Sequence, residues 1–263
     1  MSSLKISLVL ALSICVISCA SSRTKVEKKQ AENFKDQYER ALVAMNYNLV
    51  DQAITHLNNA ISMAPDYYPS YYLLGVVYTQ KMDYSEAAAA FEKSLELKPD
   101  NSEARIRLGD VYRRLDLPDK AEEEYKKAYA IDKSSMASFN LAVLYYEKKK
   151  LDEALDYVRR SIQQDSRSVQ AYNLQGVILN QRGQHPEAIA SFQYALTIEP
   201  NNMSTAVNLA VAYINNKDYD KANEILQRIL PHAQDQELKD RINEYLEKIK
   251  RLKRLKRKAS FGG

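Results

Sequence analysis

Six alanines recur along the chain at Ala53, Ala87, Ala121, Ala154, Ala188 and Ala222, with spacings of 34, 34, 33, 34 and 34 residues. A period of that length implies a stack of like supersecondary units and not one closed core, because each unit alone cannot bury its apolar face.

Other columns keep the same register. Twelve residues before each alanine stands a small residue: Ala41, Gly75, Gly109, Ala142, Gly176 and Ala210. Four after it comes a large apolar one, Leu57, Phe91, Tyr125, Val158, Phe192 and Leu226. Three further on stand Ala60, Ser94, Ala128, Ser161, Ala195 and Ile229. Steps of four and three place side chains on one helical face. The small columns let two helices approach closely, and the bulky column fills the space beside them. The chain has only 6 Gly and 7 Pro, and its abundant Ala, Leu, Glu, Lys and Gln favour helix. Pro65, Pro99 and Pro200 close three of the units, since proline near the end of a second helix stops it. Met82-Asp83-Tyr84, Arg182-Gly183-Gln184 and Lys217-Asp218-Tyr219 mark bends inside units.

These columns resemble the tetratricopeptide repeat family, most clearly at Tyr71, Leu74, Gly75, Tyr78, Ala87, Phe91 and Pro99. The resemblance implies an all-α fold, a right-handed α-solenoid of six helical hairpins at 34–67, 68–101, 102–134, 135–168, 169–202 and 203–236. Unit 1 carries Gln37 and Arg40 where the family has an aromatic residue and leucine, which suits a capping repeat. Lys133 and Ser166 replace the closing proline in units 3 and 4, and unit 3 is one residue short. A local change of twist is expected near 132–136. Leu238, Ile242, Tyr245, Leu246, Ile249 and Leu252 form one stripe of a further helix over 236–258, expected to cap the last hairpin within a terminal segment of 237–263.

Residues 1–18 read as an export signal: Lys5 precedes an apolar run from Ile6 to Ile17, too short to span a membrane. Val16-Ile17-Ser18-Cys19 resembles a bacterial lipobox. That resemblance implies cleavage before Cys19, a lipid on its sulfur, and residues 19–33 as a tether between lipid and repeats. The other cysteine, Cys15, lies in the removed segment, so no disulfide or thiol chemistry remains. The expected location is the bacterial cell envelope, lipid-anchored, on the periplasmic face of the outer membrane.

The net charge of +4 conceals a segregation. Residues 236–263 hold ten basic against four acidic residues, and Lys248 to Lys258 is a run of eight positive charges with no negative one. The body is mildly acidic, which argues against a nucleic-acid partner. The tail is either a solvated end or a contact for anionic lipid headgroups or an acidic partner.

No chemistry-bearing motif is present. His56, His185 and His232 fall in different units without metal spacing. There is no phosphate loop, no dinucleotide fingerprint and no nucleophile elbow. His185, in a turn before Pro186, reads as a solvated surface histidine. No cofactor, no metal and no catalytic residue are expected.

In the family, the first helix of each unit lines a concave face that takes a protein or peptide. Carried over, one row holds Tyr38, Tyr72, Ile106, Phe139, Asn173 and Val207, the next Leu42, Val76, Asp110, Val143, Val177 and Val211. One turn further stand Met45, Thr79, Arg113, Tyr146, Asn180 and Ile214. Asn140 and Asn208 add amides suited to a peptide backbone. The basic clamp that some cytosolic members use fails here, because Tyr38, Leu42, Leu73 and Glu103 occupy four of its positions and only Arg107 fits. The chain also resembles six-repeat lipoproteins that assist type IV pilus secretins. The resemblance therefore implies an envelope scaffold assisting assembly of a larger complex, or alternatively an adaptor or regulatory subunit recruiting an envelope enzyme such as a peptidoglycan hydrolase or protease.

Overall fold

The computed structural model describes the backbone of residues 33–261 and the side chains of 33–256. The signal segment, Cys19 and nearly all of the tether lie outside the described residues. Among them every regular element is helical. α1 covers residues 33–46. It is followed by α2 (Val50–Met63), α3 (Tyr68–Lys81), α4 (Tyr84–Leu97), α5 (Ser102–Arg114) and α6 (Pro118–Asp132). Then come α7 (Ser135–Glu147), α8 (Leu151–Gln164), α9 (Val169–Gln181), α10 (His185–Ile198), α11 (Met203–Asn215), α12 (Tyr219–Ile229) and α13 (Gln236–Phe261). Two compact units meet at Glu124, inside α6.

Each hairpin closes on the same backbone device. A residue one or two positions past the first helix sits at positive φ in all six bends: Asn48, Met82, Asp116, Lys149, Gly183 and Lys217. In the second hairpin Met82 N–H donates to Thr79 O (3.1 Å) and Asp83 N–H to Tyr78 O (2.9 Å). The same pair of bonds recurs at every bend, satisfying carbonyls that a helix end leaves orphaned. Four first helices start on side-chain caps, where Asn101, Ser134, Ser168 and Asn202 accept from the amides of Ala104, Ala137, Ala171 and Thr205. These bonds fix where one hairpin ends and the next begins. Unit 3, one residue short, is joined to α7 by two residues only, with Lys133 at φ +50°.

The alanine column is fully buried, 0% exposed at all six positions. In unit 1 of the fold α3 packs on α4, and in the second unit α7 packs on α8 and α9 on α10. Between hairpins, α2 packs on α3, α4 on α5, α8 on α9 and α10 on α11. On those first helices Val77, Val111, Ile178 and Ala212 are at most 1% exposed, whereas their counterpart Val43 in the first hairpin is 54% exposed. Among the described residues no second helix precedes the first hairpin. Beside Val43 the same edge carries the Asp36–Arg40 ion pair (2.9 Å), which keeps the end polar.

A partly buried ion pair fixes one junction in the first unit. Arg105 Nη1 donates to Glu124 Oε2 at 2.7 Å, while Nε and Nη2 both donate to Pro99 O. The guanidinium fork thereby ties α6 to the close of the preceding hairpin. At the far end Asp235 accepts from the amides of Glu237 and Leu238 and starts α13. That helix packs on α12 and α11 through Ile242 and Ile249, both at most 1% exposed. It continues three residues past the expected end, to Phe261.

Candidate functional site

First helices of successive hairpins lie side by side, α3 with α5 in one unit, and α7 with α9 and α9 with α11 in the other. Their shared face carries the side chains expected to meet a partner. The two units present different chemistry.

In the first unit Tyr38, Tyr72, Val76, Asp110 and Arg113 are half-buried and Leu42 is exposed. Tyr38 meets Tyr67 edge-on at 5.4 Å, and Phe34 meets Tyr67 at 4.7 Å. Burial first, then the neighbouring Tyr67 and Tyr68, push the Tyr38 phenol up. Tyr72 donates to Glu103 Oε1 at 2.6 Å across to the next hairpin, with its ring edge-on to Phe91. Its phenol is pushed up to about 12, mainly by burial and then by Glu103, against the opposing effect of Arg107. It therefore stays protonated and acts as a donor at neutral pH. Arg107 pairs with Glu103 at 3.8 Å. Asp110 and Arg113 are already engaged with neighbours.

Two residues of the row that begins at Tyr38 do not face solvent as expected. Ile106 is buried, 4% exposed, and so is its counterpart Val207 at 3%. Aliphatic side chains at this position are short enough to lie down in the seam between adjacent first helices. Longer Tyr and Phe at the same position reach past it and stay half-exposed. Ile214, from the third row, is likewise buried at 5%.

The second unit joins an apolar strip to a run of amides. Phe139, Asn140, Val143 and Tyr146 on α7 are half-buried, as are Asn173 and Val177 on α9 and Asn208 and Val211 on α11. Asn208 Nδ2 donates to Asn173 Oδ1 at 3.0 Å. Two turns along, Asn215 Nδ2 donates to Asn180 Oδ1 at 3.2 Å, and Gln181 Nε2 donates to the Tyr146 hydroxyl at 2.8 Å. Asn180 Oδ1 also lies 2.8 Å from His185 Nδ1, which places the imidazole proton on Nδ1. His185 is thus a half-buried member of this network and not a solvated turn residue. Gln181 and Asn215 escaped the sequence reading because they lie one residue beyond the rows considered.

An asparagine amide has two donors and one carbonyl acceptor. The Asn173–Asn208 bond uses one donor and one acceptor, so the pair still offers the Asn208 carbonyl and the Asn173 NH₂. That combination complements the N–H and C=O of one peptide unit.

Sequence profiles described as Tetratricopeptide repeat match residues 70–134, 139–203 and 179–241. Among characterised proteins, the chain is 28% identical over 154 residues to the Type IV pilus assembly protein PilF of Pseudomonas aeruginosa, covering 57% of this chain and 61% of that protein. It is 23% identical over 174 residues to a BBSome complex member BBS4 homolog of Drosophila melanogaster, covering 65% of this chain but 36% of that one. The chain thus spans less than two thirds of either relative. Among solved structures, Pseudomonas aeruginosa PilF superposes with a TM-score of 0.70 at 14% identity, over 82% of this chain and 99% of that one. PilW, described as a type IV pilus biogenesis factor, gives 0.69 at 17% identity, over 79% and 97%. At these identities the structural likeness speaks to fold alone.

Proposed function

Because this chain belongs to the tetratricopeptide repeat family, we propose that it is a protein-interaction scaffold of the bacterial cell envelope, anchored through Cys19, that assists assembly of a larger complex of pilus or secretin type. The first-helix faces hold the client. The observation that carries this reading is the strip formed by Phe139, Val143, Val177 and Val211 beside the Asn173–Asn208 pair. Half-exposed apolar side chains next to a preorganised donor and acceptor suit an extended segment or an amphipathic helix of a partner. The similarity to PilF supports the pilus subclass. The basic end of α13 belongs to the same reading, as a contact for anionic lipid.

Crosslinking the mature lipoprotein in its native envelope identifies the client, whose affinity is then measured for variants. Phe139→Ala with Tyr72→Ala should weaken binding at least about tenfold, because buried aromatic anchors dominate interface energetics. Glu123→Ala and Glu187→Ala, on second helices, should leave it unchanged. The reverse pattern would remove the first-helix face from consideration. Added salt should weaken binding little if the contact is mainly apolar.

A further inference from the structure

The bend between α11 and α12 and the distal part of α13 are remote in sequence, yet they enclose one half-open cleft of about 530 Å³. Lys217 and Lys221 line it from the bend, Lys253 and Lys256 from α13. Its two carboxylates are already committed, Asp220 to Lys253 and Asp218 to the Asn216 side-chain amide at 2.7 Å. Lys221 is held over the Tyr213 ring at 5.4 Å. With four lysines against two carboxylates the lining keeps a surplus of positive charge, and Arg251 and Arg254 continue it along the helix, where Lys250 is paired with Glu247.

Helix length adds a second, independent observation. α13 has 26 residues against 11 in α12, and Lys253 already pairs with Asp220 in the first turn of α12, so at about 1.5 Å per residue the stretch of α13 after Lys253 runs on by roughly 12 Å. Among the described side chains its last buried one is Ile249; Leu252 is half-buried and Leu255 is 56% exposed. A cationic cleft next to an exposed leucine on a basic helix matches the boundary of a bilayer, where phosphate and hydrocarbon lie within one turn of each other. A soluble polyanion or an acidic protein would use the lysines and ignore the leucine.

We propose that this cleft seats the phosphate of an anionic phospholipid headgroup while Leu255 enters the acyl boundary. The inference rests on the reading of the α13 end as a lipid contact and adds Lys217 and Lys221, which that reading lacks. The test uses the chain from residue 20 onward, which retains every described residue and carries no lipid. Binding is measured to vesicles of phosphatidylglycerol with phosphatidylcholine, and to phosphatidylcholine alone, with helix content of each variant checked by circular dichroism. Lys217→Gln with Lys221→Gln should lower affinity for the anionic vesicles at least about tenfold, while the charge-matched Lys149→Gln with Arg159→Gln changes it by no more than about twofold. Leu255→Ser should weaken binding as well. Equal effects of the two charge pairs, with loss only on Lys253→Gln and Lys256→Gln, would overturn the cleft and leave the broader lipid reading standing. No anionic-vesicle binding by the parent chain would overturn both. Saturable binding of inorganic phosphate, with Leu255→Ser indifferent to vesicles, would assign the cleft to a soluble anion and overturn the membrane source.

Discussion

Gly75 lies directly under the ring of Phe91: a Cβ added at Gly75 would stand 2.8 Å from the ring's Cγ, Cδ1 and Cε1. Gly176 stands in the same relation to Phe192, with a nearest approach of 2.6 Å. Where the large residue is aliphatic, at Leu57, Val158 and Leu226, the small one is Ala41, Ala142 or Ala210. Glycine accompanies an aromatic ring and alanine a smaller side chain.

Gly75→Ala should therefore destabilise the chain, although alanine is the better helix former by about 1 kcal/mol. Phe91 is 0% exposed and has nowhere to move, and overpacking of that kind costs about 1–3 kcal/mol. The net loss should be about 1 kcal/mol, and adding Phe91→Leu should recover part of the clash in a double-mutant cycle. Urea unfolding reads both; a stabilised Gly75→Ala would show that the contact is looser than described.

The bends give a pair of opposite signs. Met82 is 72% exposed and sits at φ +67°, so Met82→Gly should relieve backbone strain and stabilise by up to about 1 kcal/mol. Gly183 sits at φ +77° with open space around it, so Gly183→Ala should cost about 1–2 kcal/mol through the backbone alone. Shifts of urea midpoint in the same direction for both would contradict the shared left-handed bend.

Tyr72 supplies a pH signature. Its phenol is raised from 10.0 to about 12 by burial and by Glu103. A folded pKa above the unfolded one means that its stabilising contribution is complete below about pH 10 and is lost as pH rises through about 12. In ¹³C-tyrosine NMR its resonance should titrate near pH 12, be absent in Tyr72→Phe, and move toward lower pH in Glu103→Gln. A resonance titrating near 10 in the parent would mean that the Tyr72–Glu103 bond is not kept in solution.

Lipidation is testable by mass. Membrane fractions should contain a mature chain that begins at an acylated Cys19, and Cys19→Ala should accumulate as precursor or be released. A mature N-terminus at serine or alanine would exclude the anchor.

Much of the architecture was legible because repetition exposes packing. A small residue and a large one at fixed separation in every unit point to a helix–helix contact, as Gly75 under the Phe91 ring illustrates. The bends were less legible. Gly183 announces a left-handed residue, but Met82, Lys149 and Lys217 adopt the same conformation because two backbone bonds at the helix end demand it. Side-chain identity contributes little there. The face was legible in outline only: Phe139 and Ile106 occupy the same repeat position, yet one is half-exposed and the other 4% exposed.

The sequence by itself determined the period, the hairpin, the tight alanine contact and the rows that share a helical face, since each follows from spacing along one chain segment. Tertiary structure decided which members of those rows reach solvent, because that depends on the depth of the seam between neighbouring helices. It also decided which polar groups meet. Asn173 and Asn208 are 35 residues apart and bond only because first helices align. Lys217 and Lys253 share a cleft only because α13 folds back along α12.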